Sequence, residues 1–366
     1  MAYGSLIESP PIRDLTIRPI DLPLEHPVET ASGVLRTAAL VLVDVRDEDG
    51  VAGHSYLRTY TPVALRALAA LLDDLAPLLH GLPADPAAVR ARLHAEFRLL
   101  GPHGLTGAAI AGIDMALWDI AARRAGRPLA ALLGSDRRRV PAYASLHAMA
   151  PGPAAAEAEE ALADGFGAIK VKVGRGDLAA DLEVIRALRA VAGDGVPLMV
   201  DYNQSLSVEE AIARAAALDA EGVAWIEEPT RADDFAGHAR IAAAARVPIQ
   251  LGENWQGPGD VERSIAAGAS DLGMPDAMKV GGVSGWREAA ALAADAGLPL
   301  SSHTFPEYSV HLLAATPTAQ WLEHLDHVGP ILLEPVTVVG GEAHVPDRPG
   351  AGLEWDEAAL RRVLGG

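Results

Sequence analysis

The chain of 366 residues is half hydrophobic and carries a formal net charge of −19 without a single cysteine. Its length allows one large core, or one large and one smaller core, and its acidity excludes nucleic acid and anionic membranes as general partners because most of the surface would repel them. The absence of cysteine excludes disulfides, thiolate metal sites and thiol nucleophiles.

The N-terminal stretch MAYGSLIESPPIRD has no basic region followed by an apolar segment, and the sequence has no run of 18 apolar residues free of charge. We therefore expect a cytoplasmic protein. Residues 1–60 alternate apolar and polar in short runs, and DEDG supplies a turn between two of them, which predicts an antiparallel sheet. Residues 62–133 are rich in Ala and Leu at helical spacing, with Gly126 as the end of the clearest helix. Residues 1–133 are thus predicted to form a small α+β domain.

From residue 140 the pattern changes to an alternation of strands and Ala-rich helices. Eight short strands are predicted at VPAYAS, AIKVKV, PLMVDY, VAWIEE, VPIQLGE, DLGMPD, LPLSSH and AQWLE. Ser207 and Glu210 form a capping box at the start of one helix, and another helix begins near Ser284. Such alternation predicts parallel strands in a (β/α)8 barrel. An open doubly wound sheet is the alternative, but no G-x-G-x-x-G follows the first strand. The barrel is assigned to residues 134–332, and residues 333–366 are expected to return to the N-terminal domain.

The predicted strand AIKVKV contains two lysines, whose positive charges have to be compensated if they are buried. Lys170 and Lys172 point to one face of it, while Ile169, Val171 and Val173 point to the other. Lysine is rarely buried without a partner that compensates its charge. An anionic partner is therefore expected on the lysine face.

Polar residues follow the carboxyl ends of the predicted strands at intervals of 20 to 29 residues, about one βα unit. They are Lys172, Asp201, Glu227, Glu253, Asp276, His303 and Glu323. In a barrel this spacing returns each residue to the same rim, which is the rim where chemistry occurs. We expect all seven to converge on one site.

Asp201, Glu227 and Glu253 come from three adjacent strands, and three carboxylates facing one space repel each other unless a hard cation lies between them. Mg²⁺ fits such a set of oxygen ligands, with positions left for substrate or water. The alternative is that the three acids are separate surface residues that cap the following helices.

Lys172 and His303 are the candidate bases. Lys172 follows the second strand and His303 the seventh, which places them on opposite sides of a metal in a closed barrel. The proximity of Lys170 and Lys172 should lower the pKa of each amine and favour a neutral base. Asp276 is placed to accept a hydrogen bond from the imidazole of His303. The alternatives are a purely structural histidine and lysines that only neutralise the acids.

These motifs resemble the enolase superfamily and, within it, the mandelate racemase subgroup. The resemblance runs through GHSYLRTYTPVAL, AGIDMALWD, KVK, MVDYNQSL, WIEEPT, GENWQGP, MPDAMKVGGVSGW, SSHTF and HLLAATPTAQWLEHLD. It implies a Mg²⁺-dependent enzyme, usually a homo-oligomer, that removes the proton α to a carboxylate and forms an ene-diolate. The N-terminal domain would cap the site.

The resemblance also implies a role for each matching residue. Lys172 would be the base for one enantiomer and His303, paired with Asp276, the base for the other. Lys170 would contact the substrate carboxylate, and Glu323 would be a protonated donor with a raised pKa. The remaining roles are metal binding by Asp201, Glu227 and Glu253, and contact with substrate or support of the metal ligands by Ser145, Asn203 and Tyr60.

Two functions follow from this resemblance: racemisation or epimerisation of a 2-hydroxy acid, or dehydration of a sugar acid to a 2-keto-3-deoxy acid. Polar residues of the cap and rim suit the second, whereas apolar cap residues still allow an aryl group. The polar set is Glu29, Ser32, Arg36, Arg58 and Thr304, and the apolar set is Val28, Val34 and Leu35.

Lys279 in AMKVGG is an alternative second base. A barrel that has lost catalysis is a further alternative, but every expected position is filled.

Overall fold

The computed structural model describes residues 9–364. It contains a three-stranded antiparallel sheet with its own helices and a closed barrel of parallel strands. The predicted combination of an N-terminal α+β cap and a (β/α)8 barrel is confirmed.

The N-terminal sheet consists of β1 (Ile12–Thr30), β2 (Gly33–Asp47) and β3 (Ala52–Arg58), in that order and antiparallel. Thr30 lies opposite Gly33 where the β1–β2 hairpin closes. The turn predicted at DEDG joins β2 to β3, and Gly50 within it has a φ of +87°, which glycine adopts without strain. Residues 1–8 of the predicted sheet region lie outside the described residues.

The helices of the cap are α1 (Pro62–Leu79), α2 (Pro86–Glu96), α3 (Leu105–Arg124) and α4 (Leu129–Leu132). Helix α3 packs directly on β3, where a Cβ on Gly53 would collide with the carbonyl of Ala116. Gly126 follows the helix with a φ of +61°, as predicted for its end. Among the described helices only α3 is long and apolar enough to span a membrane, but 83% of that apolar window is buried, which identifies it as a core helix.

Eight parallel strands form the barrel, and each coincides with one of the predicted strands. They are β4 (Arg139–Ser145), β5 (Ile169–Lys172), β6 (Leu198–Asp201), β7 (Trp225–Glu227), β8 (Ile249–Leu251), β9 (Leu272–Gly273), β10 (Leu300–Ser302) and β11 (Ala319–His324). Strand β11 pairs with β4 and closes the barrel, with Glu323 opposite Tyr143. The carboxyl ends of all eight strands therefore meet at one rim.

Helices alternate with these strands between residues 139 and 324, all of which are described. They are α5 (Pro151–Ala163), α6 (Leu178–Ala192), α7 (Val208–Ala220), α8 (Phe235–Ala244), α9 (Pro258–Ala267), α10 (Gly282–Ala296) and α11 (Pro306–Ala314). The capping box predicted at Ser207 is present, because Ser207 and Glu210 each accept a hydrogen bond from the other's backbone N–H. Helix α10 begins at Gly282, near the predicted Ser284.

A 3₁₀ turn (Gly329–Ile331) follows the last barrel strand, and the C-terminal segment after it contains β12 (Val338–Val339), β13 (Glu342–His344) and α12 (Glu357–Leu364). Strand β13 pairs antiparallel with β4 of the barrel. The segment also contacts the cap, where the indole Nε1 of Trp355 donates to Asp44 at 2.7 Å. The segment thus joins both units. We propose residues 133 and 332 as the limits between the cap, the barrel and this segment.

Candidate active site

The seven polar residues predicted to converge do lie at the carboxyl ends of the barrel strands. Lys172, Asp201 and Glu227 are the last residues of β5, β6 and β7, and Glu323 lies near the end of β11. Glu253, Asp276 and His303 follow β8, β9 and β10 by one to three residues. Asp276 and His303 are also joined by an isolated parallel bridge, which extends the sheet beyond its short strands at this point.

Asp201, Glu227 and Glu253 each place a carboxylate oxygen within 4.8 Å of the others. The side chain and backbone N–H of Asn203 both donate to Asp201, at 2.8 and 2.7 Å. The indole of Trp225 donates to Glu227 at 3.3 Å. Burial raises the pKa of Asp201 and of Glu227, so gathering these acids is costly without a cation. Three converging hard oxygen donors with supporting hydrogen bonds fit a divalent ion of the Mg²⁺ type.

Lys170 lies among these acids and is fully enclosed. Its Nζ is 2.6 Å from Glu227, 2.7 Å from Glu323 and 3.9 Å from Asp201. Burial acts to lower the pKa of Lys170, but the attraction of Glu227 and Glu323 outweighs it and raises that pKa well above its ordinary value. The anionic partner expected for the lysine face is therefore present. The expectation that Lys172 would lower the pKa of Lys170 is wrong, because these contacts are closer and of opposite charge.

Glu323 also differs from the sequence-based expectation. Burial acts to raise its pKa, but the charges of Lys170 and His303 lower it below the ordinary value. The backbone N–H of Thr304 also donates to Glu323 at 3.0 Å. The predicted raised pKa is thus contradicted, because an ion pair within the chain stabilises the ionised form of Glu323.

Lys172 has a different environment from Lys170. Its Nζ donates to the hydroxyl of Ser145 at 3.4 Å, and no carboxylate among the described residues lies within 4.0 Å of it. Burial, followed by the charge of Lys170, lowers the pKa of Lys172. This is the direction expected for an amine that acts as a base.

His303 is oriented by Asp276, whose Oδ2 lies 2.8 Å from its Nδ1. Because a carboxylate can only accept a hydrogen bond, Nδ1 carries a hydrogen, and in the neutral form of the ring the lone pair is on Nε2. Nε2 lies 3.3 Å from the carboxylate of Glu253. Burial acts to raise the pKa of Asp276, but the hydrogen bond and charge of His303 hold it below the ordinary value. The pair is therefore built to present Nε2 to the region of the three acids.

Two family profiles together match most of the chain. The mandelate racemase / muconate lactonizing enzyme N-terminal domain matches residues 12–134, and the enolase C-terminal domain-like family matches residues 153–359. The chain belongs to the enolase superfamily, in its mandelate racemase subgroup.

Individual relatives in this superfamily differ in what they act on. A crystal structure of an enolase from Bradyrhizobium, complexed with magnesium and mandelic acid, has a TM-score of 0.93 and 43% identity and covers 98% of this chain and 99% of that chain. The L-talarate/galactarate dehydratase of Salmonella typhimurium is 35% identical over 93% of this chain and 88% of its own length. The 3,6-anhydro-α-L-galactonate cycloisomerase of Streptomyces coelicolor is 36% identical over 92% of this chain and 95% of its own length. The chain is thus an enolase-superfamily enzyme whose relatives include both dehydratases and cycloisomerases.

Tyr60 lies on the His303 side of the site. Its hydroxyl donates to Asp276 at 3.0 Å, and its ring stacks on that of His303 with centroids 6.4 Å apart. Burial, followed by the charge of Asp276, raises the pKa of Tyr60 well above its ordinary value, so the hydroxyl remains a donor. Of the residues predicted to support the site, Tyr60 thus contacts the histidine pair, Ser145 contacts Lys172, and Asn203 contacts Asp201.

The alternative base Lys279 contacts residues beside the predicted metal ligands. Its Nζ donates to Asn254 at 2.7 Å and lies 4.4 Å from the centroid of the Tyr60 ring. Asn254 in turn donates to Glu228 at 2.7 Å and to Glu253 at 3.1 Å. Sequence reasoning missed Asn254 and Glu228, although both directly follow predicted metal ligands. Their adjacency to those ligands was the available signal.

The cap residues predicted to shape the pocket are divided in space. Glu29 accepts a hydrogen bond from the backbone N–H of Met149 at 2.9 Å, so it joins the cap hairpin to the loop after β4. Arg36 and Val34 are exposed, whereas Arg58 is buried beside Tyr60. The polarity expected for the pocket therefore rests on Arg58 and Thr304 more than on the hairpin.

Backbone strain is concentrated at this rim. Six described residues other than glycine have positive φ, and all of them neighbour the residues above. They are Tyr60, Asn203, Gln204, Glu228, Thr304 and Phe305. Such conformations carry an energetic cost and persist where the surrounding structure requires them, most often at functional sites.

Proposed function

We propose that the protein is a Mg²⁺-dependent racemase or epimerase of a 2-hydroxy acid, which acts by removing the proton α to the carboxylate. One observation supports the proposal above others: Lys172 and the His303–Asp276 pair lie at strands β5 and β10, with the acids of β6, β7 and β8 between them. Two bases on opposite sides of one site can each take or return a proton at the same carbon.

Asp201, Glu227 and Glu253 are the residues that would hold Mg²⁺. When bound, the ion supplies positive charge near the substrate carboxylate, where negative charge develops as the α-proton leaves. Side chains of the protein perform the proton transfers and stabilise the remaining negative charge.

Lys172 takes the proton on one face of the α-carbon, and burial together with Lys170 favours its neutral amine. His303 takes it on the other face through Nε2, since Asp276 holds the hydrogen on Nδ1. Lys170 places a permanent positive charge beside the reacting carboxylate and stabilises the ene-diolate. The acid role of Glu323 would require Lys170 to turn from Glu323 to the substrate, because their 2.7 Å contact favours the ionised carboxylate.

Dehydration of a sugar acid is the second candidate. It is supported by the polar residues Arg58 and Thr304 and by the similarity to a talarate/galactarate dehydratase. In this reaction one base removes the α-proton, and protonated His303 donates its proton to the β-hydroxyl, which leaves as water with the C–O bonding pair. A 2-keto-3-deoxy acid results after tautomerisation.

Incubation of 2-hydroxy acids and sugar acids with enzyme and Mg²⁺ in D₂O separates the two candidates. A racemase or epimerase incorporates deuterium at the α-carbon and returns both configurations, which polarimetry and NMR detect. A dehydratase accumulates a keto acid. Recovery of keto acid alone would eliminate the first proposal in favour of the second.

A cytoplasmic location and a homo-oligomeric assembly complete the proposal and rest on the sequence. Gel filtration with light scattering would give the subunit number.

A further inference from the structure

At the end of strand β3, every second side chain points toward the barrel. Ser55 donates to the carbonyl of Gly112 in α3 at 2.7 Å, and Leu57 packs against the same glycine. Tyr56 points the other way and stacks on Phe305, with centroids 4.8 Å apart. Because strand side chains alternate, Arg58 shares the face of Tyr56 and points to the mouth of the barrel.

Arg58 is only 6% exposed. Its guanidinium lies over the ring of Tyr60, 4.6 Å from the centroid, and Tyr60 in turn contacts Asp276 and His303. Across residues 9–364, no carboxylate lies within ion-pair distance of Arg58 and no acceptor receives a hydrogen bond from it. A guanidinium does not lose its proton, and burying one without an anion is costly. The cation–π contact offsets part of that cost, but the N–H groups find no acceptor among residues 9–364, so their acceptors must come from water or a ligand.

His327 lies in the loop after β11 and is 5% exposed. Its Nε2 is buried and has no hydrogen-bond partner within the described chain. Burial, followed by the charge of Arg58, lowers the pKa of His327 well below its ordinary value, and the charges of Glu323, His303 and Lys172 also act on it. His327 is therefore a neutral imidazole near both Arg58 and the bases, with one hydrogen to donate and one lone pair to offer.

Arg58 has no task in the proton transfer proposed above, since Lys170 already serves the reacting carboxylate. The fork of N–H groups in a guanidinium matches the two oxygens of a carboxylate. The donor or lone pair of His327 can complete the recognition of the same group or of a hydroxyl next to it.

We propose that Arg58 and His327 form a distal subsite that binds a second carboxylate, at the end of the substrate remote from the α-carbon. The enzyme then acts on 2-hydroxy dicarboxylates in preference to the corresponding monoacids. The assignment of the α-carbon to Lys172 and His303 rests on the proposed function, but the binding of a second carboxylate by Arg58 can be tested without turnover.

Three pairs of acids test the inference, each with the far carboxylate present or replaced by an uncharged group. They are malate with 2-hydroxybutyrate, 2-hydroxyglutarate with 2-hydroxyvalerate, and galactarate with galactonate. Dissociation constants are measured by titration calorimetry with the full chain and saturating Mg²⁺, and α-hydrogen exchange is followed separately in D₂O. At least one diacid should bind about 10- to 100-fold more tightly than its partner, the range expected of hydrogen bonds to a charged group.

Variants of Arg58 test whether the preference for diacids depends on this residue. Arg58→Leu should reduce the preference to twofold or less, and Arg58→Lys should keep part of it, since lysine retains the charge but not the fork. Arg36→Leu is the matched control, because Arg36 is an exposed arginine on the neighbouring strand β2 of the same sheet. It should leave the preference unchanged. If Arg58→Leu does not fold by circular dichroism, the partial loss in Arg58→Lys decides.

Equal binding of mono- and diacids by the wild type would overturn the inference, as would a diacid preference that survives in the Arg58 variants. A preference that depends on Arg58, found without α-hydrogen exchange for any acid, would uphold the distal subsite and reject the proposed function. Exchange of the α-hydrogen in both monoacids and diacids, with equal binding affinity for the two, would uphold the proposed function and reject the distal subsite.

Discussion

The Lys172 side and the His303 side of the site hold their bases by different means. Lys172 has one hydrogen bond, to Ser145 at 3.4 Å, and its pKa is lowered by burial and by Lys170. His303 is fixed by Asp276, whose two oxygens together accept from His303, Tyr60 and two backbone N–H groups. Electrostatics therefore prepares one base, and orientation prepares the other. Changes to the surroundings should accordingly affect the two sides separately.

Removal of either base should give the largest effects on α-hydrogen exchange, and each removal should affect a different enantiomer. In Lys172→Ala, α-hydrogen exchange should fall about 10²- to 10⁴-fold for one enantiomer, the usual contribution of general base catalysis. In His303→Asn the other enantiomer should lose exchange by a similar factor. NMR in D₂O with each pure enantiomer measures the two rates, and both variants should lose net racemisation.

Lys279→Ala is the control for this pair, since it removes a neighbouring lysine that hydrogen bonds to Asn254. Both exchange rates should stay within about tenfold of the wild type, because the lost hydrogen bond joins Lys279 to Asn254 and not to either base. Loss of one rate in Lys279→Ala, with both rates retained in His303→Asn, would transfer the second base to Lys279.

Asp276→Asn should separate orientation from proton affinity on the His303 side. The amide keeps the size of the carboxylate but loses its charge and can present N–H to Nδ1, so the imidazole loses its fixed tautomer. Exchange of the enantiomer served by His303 should fall about 10²-fold, whereas exchange on the Lys172 side should change less than threefold. Equal losses on both sides would show that Asp276 supports the whole site instead of one base.

The pH dependence should sharpen the contrast, because only a neutral Lys172 can accept a proton. The pKa of Lys172 is lowered from its ordinary value of 10.5. In His303→Asn, which isolates this side, exchange should rise with pH and reach its plateau below pH 10.5. The Lys172→Ala variant is the control and should lack this rise. A plateau at or above the ordinary pKa would contradict the effect assigned to burial and Lys170.

The spacing of the βα units is what made the centre of the site predictable from sequence. Each unit returns the chain to the same rim, so residues at strand ends such as Asp201 and Glu227 meet whatever the details of the helices between them. The alternation of side chains along a strand likewise placed Lys170 and Lys172 on one face. Both arguments use only local periodicity and the direction of parallel strands.

The protonation of these groups was less predictable, because it depends on which side chains are nearest. Lys170 and Glu323 come from strands at opposite ends of the barrel sequence and meet only because β11 closes on β4. Their contact reverses the pKa direction expected for Glu323, and together with the closer contact to Glu227 it does the same for Lys170. In the same way, the Tyr60–Asp276 hydrogen bond joins residues 216 positions apart. Contacts between the cap and the barrel have no sequence period from which to infer them.

The smallest effects should come from the two hydroxyl groups that support the bases. Ser145→Ala removes the hydrogen-bond partner of Lys172, and Tyr60→Phe removes one of the hydrogen bonds to Asp276. The hydrogen bond to Ser145 contributes about 1 kcal/mol, and Asp276 keeps three other hydrogen bonds when that of Tyr60 is lost, so each variant should slow exchange roughly three- to tenfold, and only on its own side. Rates for the two pure enantiomers in each variant provide the measurement.

The double variant completes this comparison, because the two hydroxyls act on different bases through separate contacts. Independent sites contribute additively, so Ser145→Ala combined with Tyr60→Phe should show each single effect on its own enantiomer and no further loss. A much larger loss in the double variant would mean that the two sides are coupled, for example through the charges of Lys170 and Glu253 that lie between them. Lys172 and His303 could then no longer be described as two bases that are prepared independently, one by electrostatics and the other by orientation.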